Sequence, residues 1–181
     1  MDKHDAQFTN FKIHSQYSIC EGAVKIDELA DYCKEKKIKA IGLCDSLNLC
    51  GALEFSEKIS KVGTQPIIGT NINFNQNNIL GKLPLFAKTK KGYRNLTKLS
   101  SISYLDNDGT TEPFWEIQNL YDNHEDLIVL SGGIHNFFGN LFKLNKLSLI
   151  IHKNQYLLKI LHLSREKNIF KKFQRKQKNL K

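Results

Sequence analysis

Long hydrophobic runs, leader-like segments and paired cysteines are all missing from this 181-residue sequence. No apolar run approaches the roughly 18 residues that a membrane-spanning helix needs, so we expect no membrane segment. Residues 1–16 carry acids and polar groups where a signal peptide has an apolar stretch, which favours a cytoplasmic protein. The four cysteines form no CxxC pair, and with the six histidines they give no zinc-finger spacing. We therefore expect reduced thiols that pack as small apolar residues.

Acidic residues are almost absent from the last quarter of the chain. Residues 1–133 contain 15 Lys or Arg and 17 Asp or Glu, whereas residues 134–181 contain 12 Lys or Arg and only one acid, Glu166. The net charge of +9 therefore divides into −2 for the first part and +11 for the second. A near-neutral body followed by a basic tail is the simplest interpretation. Hydrophobic residues make up 40% of the sequence, which is enough for a packed core and excludes general disorder.

Short apolar segments alternate with amphipathic segments along the body. Apolar residues at helical spacing and turn residues at the boundaries predict four helices. These cover residues 26–33, 52–62, 90–105 and 117–121. Compact apolar runs predict strands over 11–14, 39–43, 66–74, 83–87 and 127–130. This alternation predicts a largely parallel sheet of β/α units, and so an α/β fold.

Side chains of the metal-ligand type follow the predicted strands. His14 and Glu21 come after the first strand, Asp45 comes after the second, and Asn71 comes after the third. In folds of this kind the chemistry gathers at the carboxyl ends of the strands. Histidine, glutamate and aspartate at these ends form a candidate metal site.

Four blocks of sequence, in order and in register, resemble the PHP (polymerase and histidinol phosphatase) domain. They are FKIHSQYSICEGA, AIGLCDSLNLCGALEF, QPIIGTNINF and KKGYRNLTKL. The resemblance is to the version that opens the alpha subunit of bacterial DNA polymerase III, and it covers roughly residues 8–145. It implies a distorted seven-stranded β/α barrel, incomplete here, with metal ligands at one mouth. In active members these ligands hold metals that activate a water for phosphoester hydrolysis.

The resemblance also implies which positions would carry metal ligands. Three of them keep a ligand type, namely His14, Glu21 and Asp45. Four have lost it, because active relatives have histidine or glutamate where this chain has Lys12, Ser46, Asn71 and Lys82. Ammonium groups repel a divalent cation. We therefore predict a degenerate site with no cofactor and no catalytic residue, in which Lys12 pairs with Asp45 or Glu21.

Simpler roles exist for the three retained residues. His14 is interpreted as a hydrogen-bonded remnant rather than a ligand, and Glu21 as a solvated turn residue or a partner of Lys12. Asp45 fits the cap of a loop or helix as well as it fits a ligand. The alternative is an active phosphoesterase or proofreading nuclease, in which the same three residues hold zinc, manganese or magnesium.

The tail has two interpretations. We divide the chain into a PHP-like domain over residues 1–146 and a basic tail over residues 147–181, which lies outside the resemblance and is a candidate helix. Lys171, Lys172, Arg175 and Lys176 are the candidates for contacts with nucleic acid, which would make this a small DNA-binding protein. The favoured interpretation is a truncated or frame-shifted gene end, because the break in charge coincides with the end of the resemblance.

The leading functional interpretation is the N-terminal module of a replicative DNA polymerase alpha subunit. We expect a structural or docking role in DNA replication, with neither polymerase nor phosphoesterase activity in this chain alone. The implied partners are the remaining polymerase or an exonuclease subunit. An open barrel edge also predicts a homodimer, or a tail helix that covers the edge. The leucine-rich residues for such a helix are Leu157, Leu158, Ile160, Leu161 and Leu163.

Overall fold

A computed structural model describes residues 8–133 and 136–144. Helices α1 to α5 cover Ile26–Glu35, Ala52–Lys61, Lys90–Leu105, Ile117–Asn123 and Phe137–Lys143. Strands β1 to β5 cover Ala40–Ser46, Gln65–Gln76, Ile79–Ala87, Trp115–Glu116 and Leu127–Val129. The tail predicted over 147–181, with its leucine-rich helix, lies outside the described residues. Within the described ranges, no helix is both long enough and apolar enough to cross a membrane.

The strands form one five-stranded mixed sheet, in the order β1-β2-β3-β5 with β4 also beside β2. The pairs β1/β2 and β2/β4 are parallel, whereas β2/β3 and β3/β5 are antiparallel. The α/β class is therefore confirmed, but the prediction of a largely parallel sheet was wrong. In the described part of the chain the sheet does not close on itself, so the expected barrel is not confirmed.

A tight hairpin between β2 and β3 explains why the sheet is mixed and not largely parallel. Asn77 and Asn78 connect the strands, and their φ angles are 51° and 62°. Two consecutive positive φ angles are typical of the two-residue turn that matches the twist of antiparallel strands. Sequence patterning treated the two strands as separate units and missed this turn. As a result Lys82, expected just before a strand, lies inside β3 opposite Asn73.

Two hydrophobic cores fix the helices against the sheet. The first lies between the sheet and α3, α4 and α5, where the Phe74 ring contacts Trp115 and Phe137 at centroid distances of 5.6 and 6.4 Å. The second joins β1 to α1 and α2. The apolar residues that recur at helical spacing in α1 are all buried there: Ile26, Leu29, Ala30 and Cys33. Helical spacing alone was enough to identify this face.

The N-terminal segment runs alongside β1 and positions the residues that follow it. The backbone N–H of Gly42 donates to the carbonyl of Asn10 at 2.7 Å, and that of Cys44 donates to Ile13 at 2.8 Å. The strand predicted over 11–14 is reduced to one parallel bridge between Ile13 and Leu43. A Cβ at Gly42 would lie 2.3 Å from the carbonyl oxygen of Phe11. Glycine is therefore required for this close approach.

Helix α5 packs so closely on β3 that Gly81 has no room for a side chain. A Cβ there would lie 2.3 Å from the Cα of Phe137, which is a backbone atom. We expect Gly81→Ala to lower the free energy of unfolding by about 1–3 kcal/mol through overpacking. A Cβ at Gly133 meets no described atom within 4 Å, so Gly133→Ala is the control and should stay within about 0.5 kcal/mol. Equal urea midpoints for both variants would show that α5 does not pack on β3.

Candidate functional site

The buried carboxylate of Asp45 is the centre of the candidate site. Asp45 lies in β1 and is 1% exposed. Its Oδ1 accepts hydrogen bonds from the Ser15 N–H at 2.6 Å and from the Ser18 hydroxyl at 2.7 Å. Its Oδ2 accepts from the Ser15 hydroxyl at 2.7 Å. Charge-assisted bonds of this kind satisfy a buried carboxylate through protein donors.

The turn after the N-terminal segment is shaped to deliver these donors. Ser18 closes it with a backbone bond to the carbonyl of Ser15 at 2.9 Å, and its hydroxyl oxygen also accepts from the Ser46 N–H at 3.0 Å. A Cβ at Gly22 would lie 2.1 Å from the Ser15 carbonyl oxygen, so the turn can close only over glycine. Sequence reasoning missed both serines, although serine is a typical donor and acceptor in turns.

Glu21 lies on the rim of the site and is held by two donors. The Lys82 Nζ contacts Glu21 Oε1 at 2.7 Å, and the Ser46 hydroxyl donates to Glu21 Oε2. The Nδ1 of His14 lies 3.9 Å from Glu21 Oε2 and 3.4 Å from the Ser18 hydroxyl. The same Ser18 hydroxyl donates a hydrogen bond to Asp45. The fold therefore brings together five residues that the sequence singled out: His14, Glu21, Asp45, Ser46 and Lys82.

The ion pair predicted for Lys12 was wrong. Lys12 is exposed, and within residues 8–133 and 136–144 it makes no ion pair. The ammonium group that reaches Glu21 belongs to Lys82, because the β2–β3 hairpin places this side chain beside the rim. Asp45 is enclosed by serine donors instead of a lysine. Lys12 still acts at longer range, since its charge contributes to lowering the pKa of His14.

Burial and neighbouring charged groups shift the pKa values of Glu21 and His14 on the rim. The hydrogen bond from Lys82, and then that from Ser46, lower the pKa of Glu21. Partial burial, followed by the charge of Lys12, lowers the pKa of His14 below its ordinary 6.5. Burial raises the pKa of the Cys44 thiol to about 12, so this cysteine is no thiolate nucleophile at neutral pH. His14 accordingly presents a neutral imidazole beside a charged Glu21.

Asn71 leaves a polar atom without a partner at the same end of the sheet. It pairs in register with Ser46 and is 3% exposed. Its backbone carbonyl accepts from the Leu47 N–H at 2.9 Å, but its side-chain Oδ1 has no hydrogen-bond partner in the described part of the chain. Among the described residues no three His, Cys, Asp or Glu side chains are grouped so as to hold a metal ion.

All four cysteines are free thiols, and they differ in exposure. Cys33 and Cys44 are buried free thiols, as expected of small apolar residues, whereas Cys20 and Cys50 are exposed. The candidates for nucleic-acid contact, Lys171, Lys172, Arg175 and Lys176, lie outside the described residues.

Comparison with known proteins places this arrangement in a family. The family model for the PHP domain matches residues 10–178. The chain belongs to the PHP domain family. The matched range runs through residues 147–178, which were predicted to lie outside the resemblance; a PHP domain boundary at residue 146 stays a prediction.

Similar curated proteins to this PHP domain are bacterial DNA polymerase III alpha subunits. The subunit of Caulobacter vibrioides is 37% identical over 153 residues, which is 80% of this chain and 13% of that protein. The subunits of Vibrio cholerae and Buchnera aphidicola are 36% and 34% identical over 71% and 81% of this chain, and over 11% and 13% of their own lengths. The chain therefore spans about an eighth of the relatives it matches.

A solved structure also resembles part of the PHP domain described here. It is reported as a candidate metal-dependent phosphoesterase from Bifidobacterium adolescentis. The likeness covers 54% of this chain and 33% of that one, with a TM-score of 0.42 and 13% identity.

Removing the Ser18 hydroxyl should destabilise the fold. Ser18→Ala deletes a hydrogen bond to a buried carboxylate and another from the Ser46 N–H, so we expect a loss of about 1.5–3 kcal/mol in the free energy of unfolding. Ser101→Ala is the matched control, because its exposed hydroxyl only bonds a carbonyl of its own helix. Urea denaturation of both variants checks this, and equal losses would contradict the buried network.

The lowered pKa of His14 predicts a pH dependence. A histidine whose pKa is lowered by folding favours its neutral form in the native state. Its contribution to the free energy of unfolding is therefore present above pH 6.5, the ordinary pKa, and is lost as the pH falls below that value. In an NMR titration we expect Lys82→Met to raise the pKa of His14, since a nearby positive charge is removed, and Glu21→Gln to lower it further.

The exposed Lys88 supplies the control for this titration. Lys88→Met removes a charge of the same sign away from the site, and it should leave the pKa of His14 unchanged. His14→Gln should make unfolding stability less dependent on pH below 6.5. A His14 pKa that does not respond to Lys82→Met would refute this electrostatic arrangement.

Proposed function

We propose that this chain is the N-terminal PHP module of a replicative DNA polymerase III alpha subunit, with a structural and subunit-docking role instead of hydrolytic activity. The similarity to alpha subunits across most of the chain supports the first part. The contacts of Glu21 support the second, because its carboxylate is already held by Lys82 and Ser46. The proposal rests on the observation that both carboxylate oxygens of Glu21 already contact donors, Lys82 and Ser46.

The donor set fits a divalent metal poorly. Such an ion needs carboxylate lone pairs and neutral imidazoles directed at one point. Both oxygens of Asp45 accept hydrogen bonds from Ser15 and Ser18 instead. The ammonium group of Lys82 lies 2.7 Å from a Glu21 oxygen, where its charge would repel a second cation. We therefore assign no metal-dependent step to this site.

A second candidate function is a metal-dependent phosphoesterase. One observation favours it: His14 and Glu21 remain on the same rim, 3.9 Å apart, and His14 favours the neutral form that metals bind. Two ligands on a rim are fewer than the three protein ligands that catalytic zinc sites use. The first proposal is therefore preferred.

Elemental analysis and calorimetry with Mn²⁺ and Zn²⁺ test the two functions on the full chain. We expect well under one equivalent of either metal and no turnover of p-nitrophenyl phosphate. Stoichiometric metal, together with turnover that His14→Ala abolishes, would establish the phosphoesterase and overturn the proposal. Stoichiometric metal without turnover would refute only the claim that the site is metal-free.

Restoring the ligand types of active family members should allow the chain to bind a metal ion. The rebuilt variant carries Lys12→His, Ser46→His, Asn71→Glu and Lys82→His, and Mn²⁺ or Zn²⁺ should raise its melting temperature. A metal at 100 times its Kd adds about 2.7 kcal/mol of stability. The control makes the same chemical changes elsewhere, through Lys88→His, Ser101→His, Asn107→Glu and Lys90→His, and should respond much less. Equal responses would mean that the rebuilt positions do not converge.

A further inference from the structure

Charge is strongly segregated along the second half of the chain. Residues 99–142 contain seven acids and no Lys or Arg. Residues 143–181 contain 12 Lys or Arg and one acid, and eight of these cations fall within 165–181, here called the basic segment. Two adjoining stretches of opposite sign attract each other unless salt screens them.

Four of the acids occur in the segment that joins α3 to α4, which includes the short strand β4. We call them the acidic surface: Asp106, Asp108, Glu112 and Glu116. All four are exposed, and none takes part in an ion pair among the described residues. Asp106, Asp108 and Glu116 line a cavity of about 430 Å³, while Glu112 lies in the same segment of the chain. Their negative charge is therefore available to a cationic partner.

Trp115 gives a second and independent indication of a ligand. Trp115 is among the residues that line the same cavity and is 1% exposed, and its indole N–H has no hydrogen-bond partner in the described part of the chain. A buried donor without an acceptor costs free energy. A peptide carbonyl would supply the acceptor, and the adjoining ring of Phe114 would offer a face to a lysine or arginine. Acids, aromatic rings and an unused donor together suit a basic peptide.

The described chain ends close to this surface. The Trp115 ring lies 5.6 Å from that of Phe74, which in turn lies 6.4 Å from Phe137 at the start of α5. Helix α5 ends at Lys143, and residue 144 is the last of the described residues. The 20 or so residues between there and the basic segment span up to about 70 Å when extended. The basic segment is thus within reach of the acidic surface of its own chain.

We propose that the basic segment binds the acidic surface of the same chain. The contact is intramolecular, so the local concentration of the segment is high even though each exposed charge pair is weak. It neutralises the cations of the segment and withholds them from polyanions such as DNA. Rising ionic strength should release the segment, because the contact is made between exposed charges.

Two matched variants isolate the position of the charges. The first converts the acidic surface to amides: Asp106→Asn, Asp108→Asn, Glu112→Gln and Glu116→Gln. The amide oxygens can still accept from Thr110, Asn73 and Asn75, so local hydrogen bonds are retained. The second removes four exposed acids from α1 and α2: Glu28→Gln, Asp31→Asn, Glu35→Gln and Glu57→Gln. Both variants change the net charge by the same amount.

Carbodiimide crosslinking of the full wild-type chain is the first measurement. The reagent joins carboxylates to lysines that are in contact, and a mixture of isotope-labelled and unlabelled protein separates links within a chain from links between chains. We expect links from the basic segment to the acidic surface to exceed those to the α1 and α2 acids by about tenfold, equivalent to about 1.4 kcal/mol. Equal yields to both sets, or links only between chains, would overturn the proposal.

Trypsin cleavage within the basic segment is the second measurement, and it needs no crosslink. Removing the acidic surface should speed cleavage after Lys171 and Lys172 by about tenfold at low salt, and the difference should vanish at high salt. The variant in α1 and α2 should be cleaved at the wild-type rate. Unchanged cleavage in the first variant, or equal acceleration in both, would mean that the segment does not bind there.

Discussion

The buried charge of Asp45 is the constraint on which the arrangement of the N-terminal half depends. A carboxylate that is 1% exposed needs strong donors, and β1 itself supplies none of its partners. The donors come from Ser15 and Ser18, about thirty residues earlier in the chain. The N-terminal segment must therefore run along β1, and Gly42 allows its backbone to approach closely enough.

The rim extends this constraint to a third part of the fold. Glu21 lies on the turn that carries the serine donors, Ser46 ends β1, and Lys82 lies in β3. One carboxylate therefore ties three separate elements together through hydrogen bonds and an ion pair. Because Glu21 is substantially exposed, solvent weakens each of these contacts, and their value lies more in fixing geometry than in stability.

Local features were predictable from the sequence, and pairing between distant segments was not. The periodicity of apolar residues located α1 and α3, since it reflects which side of a helix meets the core. The direction of β3 depended on Asn77 and Asn78, whose turn geometry the pattern of apolar runs does not reveal. The same register decides that Lys82, and not Lys12, reaches Glu21. Family resemblance located the site residues, but the serine donors required the structure.

The position of a residue in a family motif does not by itself define what that residue does. On the proposal that no metal binds here, Asp45 has exchanged the role of ligand for that of a buried acceptor. Its loss would leave the Ser15 N–H and two hydroxyl groups without their acceptor, which is costly whether or not a metal is present. On that proposal, folding alone is a sufficient reason for aspartate at this position. His14 and Glu21 are more exposed, so the loss of either would leave fewer buried groups without a partner.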